Sequence, residues 1–309
     1  MNNARSRMDN GFTPAPKPMR ATALACCGTA PLTISCLAQL YRTFPTPKRS
    51  PPMARALHSI IALILIALYA VVMASLALLI SPFDRTGERQ HWCARWWCRM
   101  IALTIGLRVT VDGLEQLPRD TAAVVLANHQ SLLDIPVLFA FLPFQFRILA
   151  KKELFRVPFL GWFLWRAGHI AVDRGNRAAT PSIVQSARRV LAARIPVVIF
   201  PEGTRNTQPA QVKAFKAGGF RIAQDAGVPL VPVTIYGTAD FLPARSFRLA
   251  PCPVRLTIHP PMPSDMPIEE AMAQVAAVMN RQLEASSRLG ERRNQLSPVS
   301  FSDKESPRV

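Results

Sequence analysis

The 309-residue chain contains few cysteines, and they follow no regular spacing. They are Cys26, Cys27, Cys36, Cys93, Cys98 and Cys252. A chain of this length can bury a core without cross-links, so the scatter excludes a disulfide framework and predicts free thiols. His91, Cys93 and Cys98 form one cluster that lacks a second ligand pair. Because tryptophans surround it, we interpret it as a membrane-interface segment and expect no metal site.

Several functional motifs are also absent. The sequence has no Gly-x-Ser-x-Gly elbow, which argues against an ordinary α/β hydrolase. It has no helix-turn-helix, zinc-finger or aromatic-basic RNA-binding pattern. Acidic residues are scarce: 19 Asp and Glu stand against 37 Lys and Arg, for a formal charge of +18. This excess suits nucleic acid, anionic lipid or a phosphorylated substrate, and charge alone does not choose among them.

Residues 60–80 form an apolar run of 21 residues without a charge, long enough for a helix that crosses the hydrocarbon core of a membrane. Cationic residues lie on both sides of the run, so its orientation stays open. Alternatively, residues 57–80 and 88–106 form a helical pair that lies in one leaflet. Either way, residues 53–106 are predicted to be a membrane-anchoring helical segment.

The first 52 residues differ in kind from the rest. They end in a proline-rich stretch and show no sustained periodicity, which predicts disorder. Met53 opens a basic-then-apolar run of the kind found at bacterial membrane starts. One hypothesis is therefore that translation begins at Met53 and that residues 1–52 are an extension outside the native protein.

After Gly106, short apolar strands alternate with helical stretches. Strands are predicted at 107–111, 122–126, 146–150, 169–172, 197–200, 230–235 and 254–258. A helix is expected to begin at Thr180 and another to end at Gly227. Short connections between buried strands predict an α/β fold with a mostly parallel central sheet flanked by helices. We expect the catalytic domain at 107–265. Residues 266–309 are predicted to form a C-terminal helix followed, from residue 290, by a solvated tail.

The predicted strand at 122–126 leads into His129, which places this residue at a strand's carboxyl end, where open α/β sheets build sites. Asp134 follows five residues later. On one continuous helix the two side chains would point about 140° apart, so they meet only if His129 lies in the turn before the helix. Ser131 is the predicted N-cap of that helix. A carboxylate on one ring nitrogen makes His129 a competent general base, and a purely structural loop histidine is the alternative.

A second polar cluster, FPEGTRN at 200–206, follows another buried strand. Gly203 permits a tight turn, and the guanidinium of Arg205 suits bidentate recognition of phosphate. Lys216 precedes the next helix, and Arg174 follows the strand at 169–172. Each cation taken singly is more often a solvated surface charge. Their recurrence at successive strand ends favours an anion-binding site.

Four sequence blocks, between about 109 and 258, resemble the 1-acylglycerol-3-phosphate acyltransferase family, also called lysophosphatidic acid acyltransferases, within the glycerolipid acyltransferases. They are NHQSLLD at 128–134, the segment at 150–176, FPEGTRN at 200–206 and VPLVPVTI at 228–235. The third block commonly ends in serine in this family, and here Asn206 stands instead. The order and spacing of four blocks make the resemblance specific.

The resemblance implies a membrane-bound enzyme that moves an acyl group to the free hydroxyl of 1-acyl-glycerol-3-phosphate, giving phosphatidic acid. His129, oriented by Asp134, would be the base for direct attack on an acyl-CoA or acyl-carrier-protein thioester. The substrate-binding residues it implies are Asn128, Arg174, Glu202, Gly203, Thr204, Arg205 and Lys216. No cofactor beyond the acyl donor is expected, and the partners are acceptor, donor and bilayer, without nucleic acid. The expected location is a bacterial inner membrane, with the catalytic domain facing the cytoplasm.

Three alternatives stay open. The same reaction could use another acceptor, such as another lysophospholipid, glycerol-3-phosphate or a lyso-amino-acid lipid. A serine hydrolase could combine His129 and Asp134 with Ser131 or another serine as the nucleophile. A basic membrane-tethered binding protein would explain the charge, but it would leave the two polar motifs without a purpose.

Overall fold

A computed structural model describes residues 52–118, 122–173, 180–206, 208, 210–243 and 249–295. The predictions for residues 1–51, for Arg174 and for the tail beyond 295 lie outside these residues. The helices are α1 (Pro52–Ile80), α2 (Glu88–Thr104), α3 (Asp134–Phe141), α4 (Leu160–Arg166), α5 (Thr180–Ala192), α6 (Gly218–Ala226), α7 (Thr238–Phe241) and α8 (Ile268–Gln295). The strands are β1 (Arg108–Asp112), β2 (Val124–Ala127), β3 (Arg147–Lys151), β4 (Ile170–Val172), β5 (Val197–Ile199), β6 (Leu230–Tyr236) and β7 (Pro253–Ile258).

The seven strands form one sheet in the order β1-β7-β6-β2-β5-β3-β4. All neighbouring pairs are parallel except β6 and β7, which are antiparallel. All seven predicted strands are present, with ends that differ by at most two residues, and the mostly parallel sheet is confirmed. Strand β2 lies in the middle, so the loop that follows it emerges between two neighbours that run in the same direction.

Both faces of the sheet are buried, as expected for parallel strands covered by helices. In β2, Val124 and Leu126 point into one apolar cluster, while Val125 and Ala127 point into the other. The first cluster is completed by α5, α6 and α8, and the second by α2 and α3. This double burial explains why the strands appear in the sequence as continuous apolar runs.

Helix α1 contributes to the only stretch in the described part of the chain that is long and apolar enough to cross a membrane. The stretch is Ser59–Phe83, with a mean hydropathy of 2.9 over its most apolar window, of which 6% is buried. Helix α2 packs against α1, and Trp97 on α2 donates a hydrogen bond to the carbonyl oxygen of Ile66 at 3.3 Å. The two helices of the predicted pair are therefore present and in contact, while their position in a membrane stays a prediction.

Arginines fasten this helical pair to the α/β domain. Arg95 on α2 donates to the carbonyl oxygens of Leu142 and Phe144, both at 2.8 Å. Buried Arg147 on β3 donates to the carbonyl oxygen of Thr86 at 2.5 Å, in the turn between α1 and α2. Arginine suits these positions because its guanidinium can donate several hydrogen bonds at once to carbonyl oxygens in turns.

Two predictions about helix ends are corrected. The helix that carries Asp134 begins at that residue, with Leu133 in the N-cap position and no side-chain cap, so the N-cap at Ser131 was wrong. The C-terminal helix continues to Gln295, beyond the predicted start of the tail at 290. Other ends are confirmed: α5 begins at Thr180, and α6 ends before Gly227, whose φ of 62° is the left-handed conformation of a glycine cap.

Candidate active site

His129 lies in the loop between β2 and α3, and its ring is held by Asp134. The Nδ1 atom of His129 is 2.7 Å from Oδ2 of Asp134. The carboxylate belongs to the first turn of α3, so the predicted loop-then-helix arrangement of the pair is what the structure contains. Because Nδ1 donates to Asp134, Nε2 is the ring nitrogen left to accept a proton from a substrate. The His129 side chain is 12% exposed, enough for access from one side.

The carboxylate of Asp134 is itself completely buried and extensively hydrogen-bonded. Its Oδ2 also accepts from the backbone amides of Gln130 at 2.7 Å and Ser131 at 2.8 Å. Its Oδ1 accepts from the hydroxyl of Thr238 at 2.5 Å. A carboxylate held from both sides in this way orients the imidazole with little freedom to rotate.

The register of the sheet brings the second motif beside the first. Leu126 on β2 pairs with Ile199 on β5, and each precedes its motif residue, His129 or Glu202, by three positions. The backbone amide of His129 donates to Oε1 of Glu202 at 3.0 Å. The backbone amide of Asn206 donates to the carbonyl oxygen of His129 at 2.6 Å. The two loops are thus joined through the backbone of His129.

The aromatic ring of Phe200, the first residue of the second motif, adds a third contact. It stacks on the imidazole of His129 with the ring centroids 4.3 Å apart and an interplanar angle of 27°. A stacked ring limits the tilt of the imidazole, whereas Asp134 limits its rotation. Sequence reasoning placed Phe200 at the end of a strand and at the start of the second motif, without a contact to His129.

Glu202 is buried, and both of its carboxylate oxygens accept from the backbone. Besides the amide of His129, it receives the amide of Lys213 at 3.4 Å. Burial raises the pKa of Glu202, while the hydrogen bonds from these amides act in the opposite direction. These contacts support a positioning role for Glu202, and its predicted contact with the acceptor stays a prediction.

Asn128 likewise serves the framework of the site. Its side chain is fully buried, donates to the carbonyl oxygen of Ile235 at 2.9 Å and accepts from the amide of Ile235 at 2.7 Å. This pair of bonds extends the β2–β6 pairing beyond the last residue of β2. The contact of Asn128 with substrate, implied by the family resemblance, stays a prediction.

The predicted phosphate-binding residues lie on the exposed side of the second loop. Thr204, Arg205 and Lys216 are exposed. Lys213 donates through Nζ to the carbonyl oxygen of Arg205 at 2.9 Å. Gly203 has a φ of 70°, and a Cβ built on it would lie 2.8 Å from Cε of Lys216. Glycine therefore lets the lysine stem lie directly against the loop. Arg174 is outside the described residues, although β4, which precedes it, ends at the same edge of the sheet.

Thr238 is the contact that sequence reasoning missed. It opens α7, directly after Gly237, and it is completely buried. The one sequence signal for Thr238 is its position just beyond β6, the strand that contains most of the fourth motif block. The strand order decides its role, because β6 neighbours β2 and so delivers Thr238 to Asp134 from 104 residues away.

The structure also describes Ser131, the alternative nucleophile, and His91, which belongs to the cluster with Cys93 and Cys98. The hydroxyl of Ser131 donates to the carbonyl oxygen of Leu242 at 3.0 Å, and Ser131 is 2% exposed. No group of three or more potential metal ligands occurs among the described residues. The ring of His91 packs against Phe139 and Phe146, with centroids 5.0 and 4.8 Å away.

Comparison with known proteins first defines the class. A family model described as Acyltransferase matches residues 108–236. A 1-acyl-sn-glycerol-3-phosphate acyltransferase of Chlamydomonas reinhardtii is 34% identical over 224 residues, covering 70% of this chain and 66% of that protein. A chloroplastic one of Brassica napus is 30% identical, covering 77% of this chain and 71% of that protein.

A solved structure agrees with the fold. The crystal structure of the 1-acyl-sn-glycerophosphate acyltransferase PlsC from Thermotoga maritima matches with a TM-score of 0.66 and 28% identity, over 76% of this chain and 97% of that one. The chain belongs to the 1-acyl-sn-glycerol-3-phosphate acyltransferase family, and the resemblance stated from the four blocks is confirmed. The chain spans just under two thirds of the Chlamydomonas protein and 57% of a chloroplastic Arabidopsis thaliana relative.

Proposed function

We propose that this protein transfers a fatty acyl group from a thioester donor to the free hydroxyl of 1-acyl-glycerol-3-phosphate, giving phosphatidic acid. The observation that carries the proposal is the His129–Asp134 pair, 2.7 Å apart and joined to the Arg205 loop through the backbone of His129. A base next to an exposed cationic loop is the arrangement that a phosphorylated alcohol needs. The relatives' names agree with this substrate.

In the proposed mechanism, Nε2 of His129 removes the proton from the acceptor hydroxyl as its oxygen attacks the thioester carbonyl. A tetrahedral oxyanion forms and collapses, the carbon–sulfur bond breaks, and the leaving thiolate accepts from His129 the proton that came from the acceptor hydroxyl. Asp134 stabilises the imidazolium in between. A thioester is already activated, so one oriented base and good positioning are sufficient, and neither an acyl-enzyme nor a metal is required.

The acceptor phosphate is proposed to contact Arg205 and Lys216, with Thr204 beside them and Arg174 as a further cation. Arg205 is exposed, and its guanidinium can bind two phosphate oxygens at once. The glycine at position 203 lets the Lys216 stem approach the loop closely. Asn128 and Glu202 are proposed to keep these loops in register while the phosphate binds.

The donor is proposed to be acyl-CoA or acyl-carrier protein, and both are cytoplasmic. We therefore propose that the apolar stretch Ser59–Phe83 attaches the protein to a bacterial inner membrane, with the catalytic domain on the cytoplasmic side. The excess of basic residues suits this role, because acceptor, donor and bilayer surface can all be anionic. Another lyso-acceptor remains the second candidate for the same site, since head-group contacts decide that choice.

The test is acyl transfer by membranes that contain the full chain, supplied with labelled acyl donor and a panel of lyso-acceptors. We expect His129→Ala to abolish transfer to every acceptor. Arg205→Ala should weaken use of phosphorylated acceptors most, and Arg281→Ala, which removes an exposed arginine from α8, is the matched control. Equal loss with every acceptor would remove the phosphate role of Arg205. A trapped acyl-enzyme would favour the hydrolase alternative, and transfer that survives His129→Ala would end the proposal.

A further inference from the structure

The segment between β3 and β4 carries an unusual number of exposed apolar side chains. Phe159 is 73% exposed and Trp165 is 68% exposed, which makes them the most exposed large apolar residues of the described α/β domain. The others of this segment are Leu154, Val157 and Leu160. Contiguous apolar surface of this kind marks an interaction site in a soluble domain.

The backbone at Phe159 has an unusual conformation that exposes its side chain. This residue has φ 62° and ψ −52°, and the amide of Leu160 donates to the carbonyl oxygen of Pro158 at 2.7 Å, which defines a tight three-residue γ-turn. A bulky residue with positive φ is strained, so its persistence calls for a reason. The chain after this turn also packs tightly, because a Cβ on Gly161 would overlap the carbonyl oxygen of Phe155. The strained backbone conformation of Phe159 thus coincides with an aromatic ring exposed to solvent.

This surface adjoins the end of the candidate membrane stretch. Arg166, the last residue of α4, donates to both the hydroxyl and the carbonyl oxygen of Ser81, each at 2.5 Å. Phe83, two residues beyond Ser81, is 76% exposed, and Trp165 precedes Arg166. Two exposed rings, Trp165 and Phe83, therefore lie within two residues of the same hydrogen-bonded junction.

Basic residues flank the apolar ones. Lys152 and Arg156 are exposed in the same segment, Lys151 is exposed at the end of β3, and Glu153 is the segment's one acidic residue. Aromatic rings beside cations are typical of the headgroup region of an anionic membrane, where rings enter the interface and cations meet lipid phosphates. An acidic protein partner would account for the cations but would leave the strained aromatic turn unexplained.

We propose that Phe159, Trp165 and Phe83 form a second membrane contact, through which the α/β domain itself enters the headgroup region of an anionic bilayer. This inference rests on the proposed function only in assuming that the acceptor resides in the bilayer. A domain joined to the membrane by α1 alone can lie at many angles. A second contact at α4 holds it at one angle, so that the acceptor reaches His129 without leaving the lipid phase.

The direct test reads the position of one ring and requires no catalysis. The full chain is reconstituted in vesicles of phosphatidylglycerol and phosphatidylcholine, with and without brominated acyl chains that quench tryptophan. We expect Trp165→Phe to remove a measurable share of the quenched emission relative to wild type. An unchanged quenched share would overturn the proposal, because Trp165 would then lie outside the lipid.

The second test compares two forms of the acceptor. We expect Phe159→Gly, which keeps the backbone angle, combined with Trp165→Ser to lower transfer to vesicle-embedded acceptor by about tenfold. Transfer to a short-chain, water-soluble acceptor should stay within about twofold of wild type, because neither residue touches the His129 loops. Leu289→Ser, at an exposed leucine of α8, is the matched control and should change neither rate.

Each result has one meaning. Loss in both formats would show damage to the domain and overturn the membrane contact as the cause. Equal retention in both formats would also overturn it. Changed self-association in detergent with unchanged quenching would assign the surface to a second copy of the chain. If wild type acylates neither acceptor, the proposed function fails, and the quenching experiment still decides whether the contact exists.

Discussion

The backbone amide of His129 donates a hydrogen bond to the carboxylate of Glu202 at 3.0 Å, across 73 residues of sequence. Glu202 also accepts from the amide of Lys213, so one buried carboxylate joins the loop of the proposed base to the cationic loop. The backbone geometry of His129 thus depends on the loop expected to hold the acceptor. We expect acceptor binding and proton transfer to be coupled through this carboxylate.

Replacing Glu202 with alanine should therefore affect both stability and turnover. Two partly buried amides would lose their acceptor, which costs less than the ~1–3 kcal/mol of a fully buried unpaired group. We expect a lower melting temperature and a transfer rate lower by about tenfold or more. Glu202→Gln, which keeps one acceptor oxygen, should fall between alanine and wild type. Wild-type activity in the alanine variant would show that the link is dispensable.

Thr238 provides a sharper test of positioning, because its hydroxyl touches Asp134 and not the imidazole. Thr238→Val keeps the shape and leaves Oδ1 of Asp134 without this donor. We expect kcat to fall by about tenfold with little change in KM, since orientation of the base is lost while acceptor binding is kept. Thr238→Ser should restore the rate. A change confined to KM would contradict a role through Asp134.

Gly203 and Gly227 form a matched pair for testing Lys216. Their φ values are 70° and 62°, so alanine adds a similar backbone strain of about 1–2 kcal/mol at either site. Only at position 203 does the new Cβ meet the Lys216 side chain, whereas nothing lies within 4 Å at position 227. We expect Gly203→Ala to raise KM for the phosphorylated acceptor several-fold, and Gly227→Ala to leave it unchanged. Identical kinetics in the two variants would argue against Lys216 as an acceptor contact.

The buried histidines predict how stability depends on pH. Burial, together with Arg95 and Arg147, lowers the pKa of His91 to about 3, and burial and Arg147 hold the pKa of His169 well below its usual range. Both are neutral in the folded protein and gain protons on unfolding below about pH 6.5, so stability falls on acidification. Each contributes up to about 1.4 kcal/mol per pH unit in that range.

The measurement is the free energy of unfolding, or the melting temperature in detergent, between about pH 5 and 6.5, where few carboxylates titrate. His91→Leu keeps a similar volume and removes one of three such titrations, because burial also lowers the pKa of His259, to about 4. The slope should therefore become shallower. Phe139→Leu, which replaces a buried and non-titrating ring beside His91, is the control and should leave the slope unchanged. A wild-type melting temperature that stays flat over this range would contradict the prediction.

The sequence by itself determined the strands, the fold class and the family, because apolar runs, helix ends and four motif blocks are local signals. It also determined that His129 and Asp134 could meet only across a loop-to-helix boundary. The sequence did not predict that the helix starts at Asp134 and has no cap at Ser131. In the structure the Asp134 carboxylate, itself in the helix, accepts from the backbone amides of Gln130 and Ser131.

Only the tertiary structure decided what surrounds that pair. Glu202, Phe200 and Thr238 reach His129 and Asp134 because β5 and β6 flank β2, and strand order depends on packing between distant segments. The same holds for Asn128, which contacts the backbone of Ile235 in the neighbouring strand. Sequence spacing cannot reveal such contacts, because the free energy that selects a neighbouring strand comes from burying both faces of the sheet at once.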